Sequence, residues 1–194
     1  MRKRIANLIS NILNPFLVSL VVILLLSFSS ASSIGDAIKW SLILIALSVL
    51  PVFLFTVYLV RHNRLDSIFT NVREQRTKVY ALAAILSGIG CIILFYLKAP
   101  SVLLASFVAG FSAVVVFMCI NLRWKISLHT AFITGTVTVL FIIYGLVSAA
   151  SIVLIPLVAW AKIELEHHSP AQVVTGALLA TSIVVVIFYL FGLI

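Results

Sequence analysis

The chain has 194 residues, of which 63% are hydrophobic and 9% charged. Soluble domains run at roughly 45–50% apolar and about 25% charged residues, so this composition excludes an ordinary water-soluble or disordered protein. Thirteen Lys and Arg against five Asp and Glu give a formal net charge of +8. No basic face is interleaved with stacking aromatics, which argues against a nucleic-acid partner, and short cytoplasmic loops of a membrane protein produce the same excess.

In chain order, Met-Arg-Lys-Arg is followed by an apolar run that predicts a first span over 12–32. A signal peptide ending near Ala31, within the serine-rich stretch 29–33, is the alternative; a multispanning chain commonly opens on a first transmembrane helix. Further spans are predicted over 37–60, 79–97 and 100–122, each near the 20 residues that cross a hydrocarbon core. The uncharged stretch 130–161 would be about 48 Å long as one helix, too long for a core of about 30 Å. Two short spans, 128–147 and 149–164, with a turn near 145–150, are therefore expected, and a last span runs over 171–193. Trp40, Tyr58, Tyr80, Tyr96, Trp124 and Trp160 fall near these ends, where an aromatic belt belongs. Pro51 and Pro156 lie inside spans and are expected to kink them. Cys91 and Cys119 fall in apolar spans at different depths and read as free thiols. The expected fold is an all-α polytopic bundle of six to seven transmembrane helices. It forms one integral membrane domain, with N-terminal spans over 12–60 and a core from about 71 to 193.

Charge sorts by side. The side holding Arg2, Lys3 and Arg4 also receives Arg61, Arg64, Arg73, Arg76, Lys78, Arg123, Lys125 and Lys162, whereas the other holds Lys39 and Lys98. Eleven against two predicts an integral protein of the cell membrane with that face in the cytoplasm. Three polar stretches share the face: 71–76 (NVREQR), 123–130 (RWKISLHT) and 161–176 (AKIELEHHSPAQVVTG). Two spans separate each from the next, and an even number of crossings returns the chain to the same surface. Ser127 is placed to cap the fifth span with His129 in its first turn. Ser169 before Pro170 is a strong start signal for the last. Two helix N-termini among basic residues form an anion site.

These stretches resemble the type 2 phosphatidic acid phosphatases, membrane enzymes with signatures K-x6-R-P, P-S-G-H and S-R-x5-H-x3-D. The third signature matches in spacing as Lys162, His168 and Gln172; the second is reduced to Ser127-Leu128-His129; the first survives as Arg73-Glu74-Gln75-Arg76, with Phe69 at the lysine position and Thr77 for the proline. The resemblance covers about residues 71–180. It implies that His168 attacks phosphorus and forms a phosphohistidine. His129 then protonates the departing oxygen, Gln172 stands for the aspartate that orients the nucleophile, and Arg76 and Lys162 bind phosphate. Arg73, Lys125 and the N–H groups near Ser127 are added to that phosphate site from the charge pattern. No cofactor is implied. The substrate would be a lipid or isoprenoid phosphate in the bilayer.

The departures carry chemistry of their own. Gln172 can accept a hydrogen bond from imidazole but brings no negative charge, and lysine at 162 loses bidentate phosphate geometry. Glu164, one turn before His168, is a possible replacement for the missing carboxylate; otherwise Glu164 and Glu166 are solvated charges within reach of Lys162 on a helix. His167 is out of register and is expected to face the headgroups. A non-catalytic relative that binds or moves anionic lipid is the competing expectation. Two aspartates on opposite faces, Asp36 and Asp66, do not make the acidic cluster that magnesium-dependent membrane transferases use. Adjacent His167 and His168 do not point at one zinc ion. A transporter draws on polar groups at mid-membrane, where the spans offer mainly Ser, Thr, Cys and Gly.

Overall fold

In the computed structural model, which describes residues 1–70 and 72–194, the chain is 82% helical and no strand occurs among the described residues. The expected polar stretch 71–76 opens on Asn71, outside the described residues. The helices are α1 (Arg2–Ile12), α2 (Pro15–Ser30), α3 (Ile34–Leu44), α4 (Leu50–Arg61), α5 (Arg73–Tyr96), α6 (Ser101–Asn121), α7 (Leu128–Tyr144), α8 (Leu154–Glu164) and α9 (Pro170–Leu190). Among the described residues, five helical runs are long and apolar enough to cross a membrane, six if the bent pair α1–α2 counts as one span. The outward surface agrees: Ile85, Ile89, Ile92 and Tyr96 make an exposed stripe along α5. In lipid such a stripe costs nothing, and helix association rests on packing and interhelical hydrogen bonds.

Packing divides the chain into two units, residues 1–18 with 125–194, and residues 19–124. This division cuts across the expected one, because 71–124 belongs to the second unit. In the first unit, Ile133, Val137 and Val158 form a buried cluster joined by Leu13, Val18, Leu154 and Ile155. Ile133 and Val158 would lie about 37 Å apart on a straight helix. Their contact therefore shows that α8 folds back on α7, as the length of the stretch demanded. The reversal starts at Gly145, whose φ of +57° favours glycine, and runs through a 3₁₀ segment, Gly145–Val153. Pro156 falls in the first turn of α8 instead of kinking a span, where its missing N–H costs little.

α7 and α9 run parallel, with Gly135 against Ala180 and Val184, and Thr138 Oγ1 3.4 Å from Thr181 Oγ1. Helix α1 lies against α8, and its presence corrects the expected first span. The chain is already helical from Arg2, and breaks at Leu13–Asn14 with a 43° bend into α2. Asn14 makes the break: its Oδ1 accepts from Leu17 N at 3.0 Å, and its Nδ2 donates to Asn11 O at 2.6 Å.

In the second unit α3 and α4 form one long helix interrupted by a π turn, Ile45–Val49. Pro51 has no N–H to give Leu47, and the Leu50 N–H reaches Ile45 O instead, so the missing donor is absorbed by a wider turn. Helices α5 and α6 are antiparallel, with Gly88 against Phe111 and Gly90 against Phe107. That register separates Cys91 from Cys119 in depth, and both thiols are free.

Candidate functional site

The starts of α7 and α9 meet at one end of the first unit. The Ser127 N–H donates to Gln172 O at 3.4 Å, and a Cβ on Gly176 would stand 3.0 Å from Ser127 O. Glycine at 176 is what lets the two backbones approach so closely. His129 occupies the first turn of α7 and is 6% exposed; His168 precedes α9 by two residues and is 7% exposed. Both imidazoles therefore belong to the same end of the same helix pair.

Ser127 departs from expectation. It is the N-cap residue of α7, yet its hydroxyl is fully buried and shares a 3.0 Å hydrogen bond with Thr130 Oγ1 instead of capping a backbone N–H. With its own N–H given to Gln172, Ser127 fastens α7 to α9. Ser169 behaves as its sequence says: it accepts from Gln172 N at 3.4 Å, and Gln172 Oε1 accepts from Ser169 N at 3.3 Å, a reciprocal capping box with Pro170 at the first position.

That box fixes the chemistry of His168. The Ser169 N–H can only donate, so the Gln172 atom facing it is the carbonyl oxygen. The same oxygen lies 3.0 Å from His168 Nδ1. Nδ1 must therefore carry a proton, and in the neutral ring the lone pair is then on Nε2. The glutamine thus holds the tautomer a nucleophilic histidine needs, without the charge an aspartate would add.

The turn between α8 and α9 is tied down from several directions. α8 ends in a Schellman motif: Glu166 N donates to Ile163 O at 2.9 Å and His167 N to Lys162 O at 3.2 Å, with Glu166 at φ +58°. Lys125 Nζ donates to His167 O at 2.8 Å, so this lysine also supports the loop. Arg2 pairs with Glu164 at 3.1 Å and Lys3 with Glu166 at 2.7 Å. The Lys3 ammonium, by hydrogen bond and by charge, holds the Glu166 carboxyl below the usual carboxylate range. Glu164 is thus engaged by Arg2. The expected pairing of Glu166 with Lys162 is lost because the helix has ended before 166. Lys162 itself is buried, 4% exposed, and His167 is half-buried.

Arg73 and Arg76 belong to the second unit, and their bonds described here stay within it. Arg73 pairs with Glu74 at 2.8 Å and donates to Leu122 O at 3.2 Å; buried Arg76 donates from Nε to Thr70 O at 2.9 Å. Asn121 Nδ2 donates to Arg73 O at 3.1 Å and so ties the end of α6 to the start of α5.

No family model, curated protein or solved structure matches the chain. Among the described residues no three His, Cys, Asp or Glu side chains converge as metal ligands.

Of the residues singled out in the sequence, the first unit therefore gathers Lys125, Ser127, His129, Lys162, His168 and Gln172, and assigns Ser127 and Lys125 bonds inside the protein. Arg2, Lys3 and Gly176 were missed. The first two looked like ordinary positive-inside charges. The third carried a signal, a glycine seven residues into a helix that has no need of one for its own geometry.

Proposed function

We propose that the chain is a metal-independent phosphatase acting on a lipid or isoprenoid phosphate in the bilayer. His168 Nε2 attacks phosphorus, the bond to the alcohol oxygen breaks, and His129 gives that oxygen a proton. Water then cleaves the phosphohistidine, and His129 takes up the proton water releases. Lys162 and Lys125, with the positive ends of α7 and α9, stabilise the phosphoryl oxygens. The charge pattern puts this end of the unit in the cytoplasm.

The observation that carries the reading is the His168 Nδ1 to Gln172 Oε1 bond of 3.0 Å, fixed in direction by the Ser169 N–H. The expected result is release of phosphate in EDTA from at least one of phosphatidate, phosphatidylglycerophosphate or an isoprenoid phosphate, abolished by His168→Ala. Release that persists at the wild-type rate in His168→Ala overturns it. A second reading, a non-catalytic binder of anionic lipid, is favoured by the neutral Gln172. It predicts lipid-phosphate binding that survives His168→Ala, with no turnover.

A further inference from the structure

The turn that carries His168 is gripped by a segment more than 150 residues away in sequence. We propose that Arg2 and Lys3, in the first turn of α1, are positioning residues for His168. Their role in turnover rests on the phosphatase reading; their effect on the imidazole does not.

The two ion pairs bracket the turn, Arg2 on Glu164 at its start and Lys3 on Glu166 at its apex. Between Glu166 and the capping box of α9 stand only His167 and His168. The main chain there is held by the His167 and His168 N–H groups on Lys162 O and by Lys125 on His167 O. Arg2 and Lys3 add to this ring of restraints from α1, on its outer side.

Residue 166 shows why the carboxylate matters. Its φ of +58° is a conformation in which glycine is at ease and a side chain is disfavoured. A glycine there would make the Schellman motif easier to form. Glutamate instead places a carboxylate 2.7 Å from Lys3 Nζ. The Lys3–Glu166 pair is solvent-exposed, with side-chain exposures of 66% and 77%, and in the other pair Arg2 is 75% exposed against a partly buried Glu164 at 20%. Exposed pairs add little to global stability. Their effect falls on the segment they hold, which is short and carries the imidazole.

The test uses the full-length chain in lipid nanodiscs in a His167→Gln background, so that carbethoxylation read by mass spectrometry reports His168 at this turn. Reversing both basic residues (Arg2→Glu, Lys3→Glu) is expected to raise the His168 modification rate by about threefold, in line with the loss of two weak ion pairs. Adding Glu164→Arg and Glu166→Lys, which restores both pairs with swapped charges, is expected to return it to the starting value. Glu166→Gly separates the alternatives: relief of backbone strain alone predicts an unchanged or slower rate, whereas loss of the Lys3 contact predicts a faster one. If the reversed protein does not fold, the neutral pair Arg2→Gln, Lys3→Gln takes its place. A His168 rate that is the same in the reversed, neutral, swapped and glycine variants overturns the proposal. A protein without turnover whose His168 rate follows the swap refutes the phosphatase reading and keeps this one.

Discussion

Gln172 does two jobs with one carbonyl oxygen: it closes the cap of α9 and sets the tautomer of His168. Both depend on side-chain length, so glutamate at the same position keeps both and adds a charge beside Nδ1–H. An opposite charge in contact moves a pKa by one unit or more, and a unit is about a factor of ten. Because the ring gains positive charge as Nε2 bonds to phosphorus, Gln172→Glu is expected to raise metal-free phosphate release about tenfold at a pH where the resting ring is neutral. Gln172→Leu removes the tautomer control, and turnover is expected to fall by about 10²–10⁴. It also breaks the capping box, at a cost of about 1 kcal/mol in a denaturation midpoint. The spacing from Lys162 through His168 to Gln172 was legible because it lies along one turn and one helix start. The role of Ser127 was not. Whether its hydroxyl caps its own helix depends on where Gln172 O and Thr130 arrive, and that is decided by α9 packing on α7. The partners of Glu164 and Glu166 were hidden for a similar reason, since they come from α1.

At the level of helices, α7 and α9 approach closely at Gly176. A methyl group there would meet Ser127 O and Ile126 Cγ2, both at 3.0 Å. The two starts would have to move apart, weakening the Ser127 N–H to Gln172 O bond. Gly176→Ala is expected to destabilise the protein by about 1–3 kcal/mol, as overpacking does, read as a lower unfolding midpoint in detergent. Gly110 offers the control, because nothing lies within 4 Å of its added Cβ; Gly110→Ala is expected to be neutral or stabilising by up to about 1 kcal/mol. Hydropathy found the long helices because lipid-facing stretches are apolar all round. It missed α1, whose Asn7, Ser10 and Asn11 break the apolar run although Ile5, Leu8 and Ile12 keep a helical spacing. Ser169-Pro170 was readable as a helix start since capping is local. The answer to Pro51, a π turn over Ile45–Val49, lies in a shifted backbone hydrogen bond that composition does not show.

Hydropathy gives a helix its depth but not its neighbours, so nothing in the sequence showed that residues 1–18 pack with 125–194 while 19–124 form a unit of their own. Each unit nevertheless gathers most of its cations at one end, Lys39 and Lys98 of the second unit lying at the other. In the first, Arg2, Lys3, Lys125 and Lys162 surround the starts of α7 and α9; in the second, Arg61, Arg64, Arg73 and Arg76 lie at or near the end of α4 and the start of α5. A phosphate site would demand such charge on either side of a membrane, which makes Lys125 and Lys162 poor witnesses to orientation. Arg2 and Lys3 are paired with carboxylates, but orientation follows the count of Lys and Arg and is barely moved by acids, so they still count. The rule applies to each unit separately, and that makes it testable twice. In a background with Cys91 and Cys119 replaced by alanine, single cysteines at Arg4, His62 and Lys98 are treated in intact cells with a membrane-impermeant maleimide. Labelling is expected at Lys98→Cys alone, and at all three after permeabilisation. Labelling of Arg4→Cys in intact cells would put the His168 end of the first unit outside the cell, and labelling of His62→Cys would do the same for the basic end of the second.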